Sequence, residues 1–341
     1  MDIRLLEETD IPQAKALWKE AFGDTDAFIG WYFANKVSLG NSLGAFDGRL
    51  VAVVHMIPLK VCVQGVPVMS SYIAGAATAR DRRGEGLMRT LLYESLKIMK
   101  QRGIMMTHLY PFKHSFYEKF GWATYSYARF LGAEEAAPRQ GAEIVESWDA
   151  KLLSGLYQSM MSRFDGYVVR ENREWRWRLE EHAADGGKTA VLIKGGRPAA
   201  YMLYSSEQGN ADVIETVYSV AEDIKPLLSY LLKNGHKRVS YFIPADEETG
   251  ASPYGMARIV DAPLLLKAFG AQELLEFAKI RDDFAEWNNL GDGEELSISG
   301  LAKAIHMGTR PGYYDGEKNM RLYNILMKHF LHRSTCIFEQ Y

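Results

Sequence analysis

Residues 74–92 contain the residue types that proteins use to bind a pyrophosphate. An apolar segment that predicts the end of a strand leads through a basic turn with Arg83, Gly84 and Gly86 into a segment with helical periodicity from Leu87. At the start of a helix, unpaired backbone N–H groups and the positive end of the helix dipole attract an anion. Glycine lets the backbone approach a ligand and arginine adds charge-assisted hydrogen bonds, so this spacing predicts an anion site.

The turn by itself does not identify the nucleotide. It lacks the Gly-Lys-Ser/Thr ending of a P-loop and the Gly-x-Gly-x-x-Gly pattern of dinucleotide folds. The order Arg83-Gly84-Glu85-Gly86-Leu87-Met88 resembles the Arg-x-x-Gly-x-Gly/Ala turn of the GNAT acetyltransferases, with Met88 where glycine or alanine is usual. The alternative is a glycine turn that only connects a strand to a helix.

A second motif lies downstream, after a helix predicted for Leu87–Gln101 and a buried strand predicted for Ile104–Tyr110. Residues 115–122, Ser-Phe-Tyr-Glu-Lys-Phe-Gly-Trp, resemble the Phe-Tyr-x-x-x-Gly-Phe signature of the same superfamily. Two motifs in this order are much harder to obtain by chance than either one alone.

The composition excludes several classes of protein. With 341 residues, 47% hydrophobic and 24% charged, the chain is typical of a globular protein with two or three domains. A net charge of -3 predicts no general attraction to nucleic acid or to an anionic membrane. Cys62 and Cys336 have no metal-ligand spacing, and we find no secretion signal or membrane-spanning apolar run. We therefore expect a cytoplasmic protein with reduced cysteines and no metal.

Local patterns predict the elements that position the two motifs. Helical spacing predicts a helix over Ile11–Phe22, and the alternation over Leu43–Pro58 around Asp47-Gly48 predicts a hairpin with a type I′ turn. Val61–Val68 and Ser71–Thr78 have the pattern of further strands. Together these elements predict a mixed α/β domain that ends near residue 135.

A weak internal repeat indicates a second copy of this domain. Residues 46–53 and 194–201 share a glycine turn that leads into a strand, and residues 100–111 are similar to 233–244. Between these landmarks the second copy has residues 219–226, Ser-Val-Ala-Glu-Asp-Ile-Lys-Pro, with no glycine and little positive charge. We therefore predict a tandem pair in which only the first copy binds a pyrophosphate.

Nearly the whole chain resembles the enhanced-intracellular-survival (Eis) family of acetyltransferases, in which methionine after the glycine turn is common. The family has two fused GNAT domains and a sterol-carrier-protein-like C-terminal domain, which implies a mixed α/β fold. The implied limits are residues 1–135 for the catalytic domain, 136–255 for a degenerate second GNAT domain and 256–341 for a C-terminal domain that is shorter than usual. The resemblance is carried by residues 82–89, Tyr117, residues 163–170 with Trp175, residues 256–261 and the aromatic last residue.

The resemblance implies acetyl-CoA as cosubstrate and assigns the residues that bind it. Backbone groups of the strand would bind the pantetheine arm and the carbonyl oxygen as it becomes an oxyanion, and the glycine turn would hold the pyrophosphate. The implied set is Ala76, Ala77, Thr78, Arg83, Gly84, Glu85, Gly86, Leu87, Met88, Arg89, Phe112 and Lys113.

Acetyl transfer needs a proton for the departing thiolate and a base for the amine. We predict Tyr117 as the general acid, because a phenol with a pKa of about 10 is a tolerable match for a thiol of about 8.5. A tyrosine that only packs against Phe116 and Phe120 is the structural alternative. By resemblance the general base is the α-carboxylate of Tyr341, and Glu339 is the carboxylate that could replace it.

An amine substrate is a cation before it reacts, so acidic side chains should line its pocket. Asp24, at a position that matches the family, and Glu339 are the candidates, followed by Asp26. A solvated carboxylate or a helix cap is the alternative for each. We expect His108 and His114 to be packing or surface residues.

These observations predict a cytoplasmic acetyl-CoA-dependent N-acetyltransferase that acts on a primary amine. The resemblance implies an aminoglycoside, a polyamine-like amine or a lysine side chain as substrate, no nucleic-acid or membrane partner, and a homo-oligomer, hexamer or trimer. The alternative from a different class is a catalytically degenerate regulatory protein that binds acyl-CoA. A lipid-binding role for the C-terminal domain rests on fold analogy alone.

Overall fold

The computed structural model describes residues 1–135, 143–308 and 320–339. Strands and helices alternate along these ranges as in a mixed α/β protein. The first elements are β1 (Asp2–Leu5), α1 (Ile11–Phe22), α2 (Asp26–Asn35), β2 (Ser42–Phe46), β3 (Leu50–Val63), β4 (Val66–Thr78), α3 (Leu87–Gln101), β5 (Met106–Leu109), α4 (His114–Tyr117), β6 (Ala123–Thr124), β7 (Tyr127–Ala133), β8 (Glu143–Val145) and α5 (Ala150–Met161). They are followed by α6 (Asn172–Ala184), β9 (Lys188–Lys194), β10 (Arg197–Glu207), β11 (Asn210–Tyr218), α7 (Ile224–Lys233), β12 (Val239–Ala245), β13 (Ser252–Pro253), β14 (Met256–Ile259), α8 (Ala262–Ala268), β15 (Ala278–Arg281), β16 (Glu294–Ser297), α9 (Ile298–Met307) and α10 (Met320–His329).

Two seven-stranded sheets in the described residues repeat one architecture. The first has the order β1-β2-β3-β4-β5-β14-β6, and the second, taken from its β8 edge, has the order β8-β9-β10-β11-β12-β7-β13. In both sheets the fourth and fifth strands are parallel neighbours, β4 with β5 and β11 with β12. A helix follows the fourth strand in each repeat, α3 in the first and α7 in the second. This confirms the predicted tandem repeat in a mixed α/β fold.

Each sheet takes up a strand from outside its own repeat. β7, which precedes the predicted limit at residue 135, pairs with β12 along its whole length. β14, which follows the predicted limit at residue 255, pairs with both β5 and β6. The predicted limits therefore fall beside strands that belong to the neighbouring sheet.

Two turn predictions need correction. The hairpin of β2 and β3 is present, but its loop is the three residues 47–49, in which only Gly48 has a positive φ, 69°. The type I′ pattern occurs instead inside Val61–Val68, where Gln64 and Gly65 have φ of 51° and 76°. The segment predicted as one strand thus contains the end of β3, a tight turn and the start of β4. The turn was missed because glutamine is an unusual residue at positive φ.

The helix predicted over Leu87–Gln101 is α3, with those bounds, and it buries Leu87, Leu91 and Leu96 against the first sheet. A separate apolar cluster lies between α7 and the second sheet. A third cluster contains residues of both sheets and the C-terminal residues 336–338. The predicted packing of the C-terminal residues is confirmed as far as Glu339, which is also buried, whereas residues 340 and 341 lie outside the described residues.

The part of the chain after β14 contains the short parallel sheet β15–β16 and the helices α8 to α10. A buried ion pair between Arg258 and Asp282, 2.9 Å long, fastens this part to the first sheet. Its sterol-carrier-like character stays a prediction. Cys62 and Cys336 are both buried and unbridged. Across the described ranges, none of the helices combines the length and the apolar character needed to cross a bilayer.

Candidate active site

The first sheet opens into a slot between β4 and β5. Parallel pairing of these strands is limited to Ser70, Ser71 and Tyr72 of β4, whereas β4 continues to Thr78. On its other edge β4 stays paired with β3 as far as Thr78. In the described residues, the β5-facing edge of β4 from residue 73 to 78 therefore has no strand partner, and this opening is here called the first slot. The predicted pantetheine-binding residues Ala76, Ala77 and Thr78 lie along it.

A β-bulge in β4 shapes the edge of the first slot. The register between β3 and β4 shifts between Val53 and His55, and Gly75 in the extra segment has a φ of 56°. A Cβ atom at Gly75 would lie 2.3 Å from the Trp18 ring and 2.7 Å from the His55 ring. A glycine is therefore required there, and the bulge redirects the backbone groups that follow it.

The predicted anion turn connects β4 to α3. Gly84 and Gly86 have φ of 88° and 80°, and a Cβ atom at either position would meet nothing within 4 Å. Gly86 is the N-cap of α3 and provides no side-chain cap, so the first N–H groups of the helix point toward an open surface. The turn thus has the geometry of an anion site, with the backbone of Leu87 and Met88 at its base.

Three side chains in the turn have different roles. Arg82 donates hydrogen bonds to Glu85 at 2.8 Å and to Asp47 at 2.9 Å, and the bond to Glu85 lowers the pKa of that carboxyl. Glu85 therefore holds Arg82 in place. Arg83 is exposed and its Nε donates to the carbonyl of Thr78 at 3.2 Å, which fixes the turn to the end of β4.

The remaining predicted residues of the turn divide into buried and exposed side chains. Leu87 is buried and Met88 is half-buried against the α3 cluster, so only their backbone N–H groups can face an anion. The Arg89 side chain is exposed, with its guanidinium carbon 5.9 Å from the centroid of the Phe284 ring. Arg83 and Arg89 are therefore the cations of this turn that can reach a bound pyrophosphate.

Tyr117 is the last residue of α4 and lies in the same apolar cluster as Ile73 and Leu87, which border the first slot and the turn. It is 4% exposed, and its ring contacts Phe116 at 5.0 Å between centroids. Burial raises the pKa of Tyr117 to about 12. The phenol is therefore protonated at neutral pH, and both the predicted general acid and the packing alternative agree with this position.

Phe112 and Lys113 precede α4 at the end of β5 and are both exposed, Phe112 by 75%. The Phe112 ring lies 5.8 Å from that of Tyr117. Such exposure of a phenylalanine next to an unpaired strand edge is typical of a surface that a ligand covers. The predicted cofactor residues of the turn, of β4 and of this loop are therefore brought to one opening.

Asp24 lies in the loop between α1 and α2 and is positioned by Trp18. Its Oδ2 accepts a hydrogen bond of 2.7 Å from the Trp18 indole, whose ring is tilted against that of Tyr32 at 4.6 Å between centroids and lies next to Gly75. The structure thus places Asp24 close to the bulge of β4. Asp26, by contrast, is exposed and pairs with Lys19 at 2.6 Å, so a solvated carboxylate describes it best.

Glu339 belongs to the C-terminal residues 334–339, here called the tail. Its carboxylate is buried and accepts hydrogen bonds from Arg170 at 2.8 and 2.9 Å, while its backbone carbonyl accepts one of 2.9 Å from the Tyr72 hydroxyl. Glu339 therefore anchors the tail beside β4, and its carboxylate is committed to Arg170. The predicted base, Tyr341, lies outside the described residues.

The second sheet has an equivalent opening, here called the second slot. β11 and β12 pair in parallel only at Ala211 and Asp212 before they separate. The tail packs against both strands: Phe338 lies 5.8 Å from Phe242 of β12, and Arg170 joins Glu339 to Glu215 of β11. The tail thus covers one side of these strands, while a pocket of about 400 Å³ lined by Asp212, Val213, Ser240 and Tyr241 stays open between them.

The sequence analysis did not assign a role to Trp18, Tyr72 or Arg170. Arg170 lies in a segment that carries the family resemblance, and this was the signal that could have pointed to it. His108 is buried, as predicted for a packing residue, with its Nδ1 2.7 Å from the Ser70 hydroxyl. In the ranges that the structure describes, no group of three or more His, Cys, Asp or Glu side chains could hold a metal ion.

Comparison with known proteins agrees with this geometry. Residues 2–125 match the family model for the acetyltransferase (GNAT) domain, and this range contains β4, β5 and α3, which form the first slot and its turn. Two proteins of Streptomyces griseus, both described as uncharacterized N-acetyltransferases, are 26% identical over 193 residues, 52% of this chain and 45% of theirs. The chain therefore matches about half the length of these relatives.

Solved structures share the fold over the whole chain. A probable N-acyltransferase from Enterococcus faecalis V583 has a TM-score of 0.77 at 17% identity and covers 100% of this chain and 99% of its own. A GCN5-related N-acetyltransferase from Anabaena variabilis has 0.75 at 15%, and Eis1 from Mycobacterium abscessus has 0.68 at 17%, each with 100% of both chains covered. At these identities the similarities show that the chain shares the fold of these proteins.

Proposed function

We propose that this chain transfers an acetyl group from acetyl-CoA to a primary amine. The observation that carries the proposal is the first slot, an unpaired strand edge that leads directly to a glycine turn at the start of α3. A strand edge can pair with the amides of a pantetheine arm, and a helix start can bind the pyrophosphate. The two features together fit an extended ligand with an anionic end.

The cosubstrate would lie along β4 with its phosphates at the turn. Backbone groups of Ala76, Ala77 and Thr78 would pair with the pantetheine arm, and Arg83 and Arg89 would add charge-assisted hydrogen bonds to the pyrophosphate. Phe112 and Lys113 would cover the ligand from the β5 side. Binding of acyl-CoA at this position is also what the GNAT domain implies.

The reaction would proceed by direct attack. The neutral amine attacks the thioester carbonyl carbon, and backbone N–H groups of β4 stabilise the oxyanion. A base takes a proton from the attacking nitrogen, the C–S bond breaks, and the thiolate takes the phenol proton of Tyr117. Because burial raises the pKa of Tyr117 to about 12, the phenol is protonated at neutral pH and is in the form that can donate to the departing thiolate.

The base would be the α-carboxylate of Tyr341. The support is the position of Glu339, whose backbone carbonyl is held by Tyr72, the last β4 residue that is paired with β5. Two residues extend the chain by at most about 7 Å, so the carboxylate would be within reach of the first slot. Asp24, placed beside the bulge by Trp18, would attract the cationic amine before it loses its proton.

The acceptor class would be an aminoglycoside, a polyamine-like amine or a lysine side chain, and the protein would work as a homo-oligomer, hexamer or trimer. The structural similarity to Eis1 from Mycobacterium abscessus supports testing these amines first. The direct test is release of free coenzyme A from acetyl-CoA with each amine, together with the mass of the acetylated product. Turnover with at least one primary amine is expected. Tight coenzyme A binding without turnover on any amine would contradict the proposal and identify a regulatory acyl-CoA-binding protein.

A further inference from the structure

The segment between β15 and β16 carries two aromatic side chains onto the first repeat. Residues 282–288, here called the aromatic loop, belong to the part of the chain after β14, yet Phe284 lies in the apolar cluster between α3 and the first sheet. Phe284 is 8% exposed, and its ring lies 5.0 Å from that of Phe120 and 5.6 Å from that of Tyr93 between centroids. The Trp287 ring lies 5.8 Å from that of Tyr93. The aromatic loop therefore packs on the face of α3 that carries Tyr93.

Asp282 fixes the shape of the aromatic loop. One of its carboxylate oxygens accepts the backbone N–H groups of Phe284 at 3.1 Å and Ala285 at 3.0 Å, and the other accepts the side-chain amide of Asn288 at 2.9 Å. The Arg258 guanidinium donates to both oxygens, at 2.9 and 3.0 Å, and the side chains of this pair are 0% and 1% exposed. Because Arg258 belongs to β14 of the first sheet, the position of Phe284 is set relative to that sheet.

The Phe284 ring meets a cation of the pyrophosphate turn. Arg89 precedes Tyr93 by four positions on α3, so both side chains lie on the face that the aromatic loop covers. The guanidinium carbon of Arg89 lies over the Phe284 ring, 5.9 Å from its centroid, which is within the range of a cation–π contact. Among the described residues, no carboxylate forms an ion pair with Arg89. The aromatic ring is therefore the contact here that attracts the guanidinium.

A ring and a carboxylate hold an arginine in different ways. Arg82, in the same turn, is paired with Asp47 and Glu85, which balance its charge and occupy its N–H groups. The ring under Arg89 attracts the guanidinium but accepts none of its N–H groups in the guanidinium plane, so these remain available to an anion. Because the ring is buried and packed on other rings, it restricts a long, exposed side chain before the ligand arrives.

We propose that Phe284 is a positioning residue for the cosubstrate, which holds Arg89 so that its guanidinium faces the pyrophosphate. The part of the chain after β14 then contributes to cosubstrate binding by the first repeat. This inference rests on the proposed function, in which the start of α3 binds the pyrophosphate of acetyl-CoA. Loss of the aromatic face should weaken coenzyme A binding about two- to fivefold, the size of a cation–π contact at an exposed site. It should raise the KM for acetyl-CoA and leave kcat nearly unchanged, because the reacting atoms are not touched.

The experiment compares Phe284→Leu with Phe269→Leu, because leucine keeps an apolar side chain and removes the aromatic face. Phe269 also lies in the part of the chain after β14, but it packs on Phe330 and belongs to a different apolar cluster. Titration calorimetry measures the affinity for coenzyme A directly and, by displacement, the affinity for pantetheine, which lacks the pyrophosphate. Phe284→Leu should weaken coenzyme A binding and leave pantetheine binding unchanged, whereas Phe269→Leu should change neither. Thermal unfolding checks folding, and Phe284→Met, with an adaptable unbranched side chain, serves if Phe284→Leu does not fold.

A double-mutant cycle with Arg89→Gln separates positioning from a general packing effect. If Phe284 acts through Arg89, then Phe284→Leu should have no further effect on coenzyme A affinity in the Arg89→Gln chain. The positioning role is wrong, and the proposed function stands, if the two losses multiply, if pantetheine binding weakens as much as coenzyme A binding, or if Phe284→Leu leaves coenzyme A affinity unchanged. If the native chain does not bind coenzyme A, the proposed function is wrong and the positioning role falls with it.

Discussion

The first and second slots begin from the same architecture and end with different contents. In each, two parallel strands pair over two or three residues and then separate. The first slot leads to Gly84, Gly86 and the open start of α3. The second leads to residues 219–226, which lack glycine, and the tail packs against one side of its strands. One scaffold can thus form a ligand site or a docking site, depending on the connection after its fourth strand and on what enters the opening.

The contrast extends to electrostatics. In the first slot, Arg83 and Arg89 are exposed. The neighbouring Arg82 forms ion pairs with Asp47 and Glu85. Where the tail meets the second sheet, Arg170 and Arg178 are buried and paired with carboxylates inside the protein. Exposed cations remain available to an anionic ligand, whereas the buried ones hold the tail.

The largest expected effect is on stability and distinguishes the contents of the two slots. Phe338→Ala removes a ring that is 1% exposed and should lower the free energy of unfolding by about 4 kcal/mol through cavity formation. Phe112→Ala, at the first slot, removes a ring that is 75% exposed and should cost less than about 1 kcal/mol. Urea unfolding measures both, and equal losses would show that the two slots are not filled differently.

Charge reversal in the turn should abolish most of the affinity for the cosubstrate. Arg83→Glu combined with Arg89→Glu replaces two attractive contacts with the pyrophosphate by repulsion and should weaken coenzyme A binding by about 1,000-fold, about 4 kcal/mol. Lys225→Glu, in the equivalent connection of the second repeat, is the matched control and should change nothing. Titration calorimetry measures both affinities. A similar loss of coenzyme A affinity in Lys225→Glu would mean that the cosubstrate binds at the second slot.

The tyrosines of the two repeats give a matched pair for catalysis. Burial raises the pKa of both Tyr117 and Tyr204 to about 12, but only Tyr117 lies beside the first slot. Tyr117→Phe should lower kcat by about 100-fold with nearly unchanged coenzyme A affinity, because a proton donor is lost and the ring remains. Tyr204→Phe should leave kcat unchanged. A large loss of affinity in Tyr117→Phe would mean that the tyrosine is structural.

The smallest expected effect concerns pH and Asp165, whose backbone is hydrogen-bonded to the tail. Burial raises the pKa of Asp165 from 3.8 to about 7. Between about pH 4 and 7 the folded state then binds more protons at this group than the unfolded state, so its contribution lowers stability as pH rises and is constant above about 7. The free energy of unfolding of Asp165→Asn should therefore rise by about 2 kcal/mol relative to that of the native chain between pH 5 and 8. A difference in unfolding free energy that is the same at both pH values would contradict this.

Local sequence patterns predicted the parts of the site that depend on a few neighbouring residues. The glycine turn and α3 follow from spacing and periodicity, and the helix with Tyr117 follows from the resemblance of residues 115–122 to a known motif. The turn at Gln64 and Gly65 was missed because alternating valines on both sides resemble one strand. Local pattern alone therefore fails where a tight turn lacks its usual residues.

Contacts between distant segments could not be predicted from the sequence. Arg170 and Glu339 are 169 positions apart, and the pairing of β14 with β5 joins segments that were assigned to different domains. Which carboxylate faces which guanidinium is decided by the packing of both sheets and the tail, and a single sequence carries no local sign of it. The ion pair between Glu339 and Arg170 was therefore found only in the structure.

The most direct test of the account is a crystal structure of the protein with coenzyme A. The account predicts that the pantetheine arm lies along residues 76–78, the pyrophosphate at the start of α3 and the sulfur near the hydroxyl of Tyr117. It also predicts that the tail stays packed against the second sheet. Coenzyme A between β11 and β12, with the tail displaced, would contradict the assignment of the two slots.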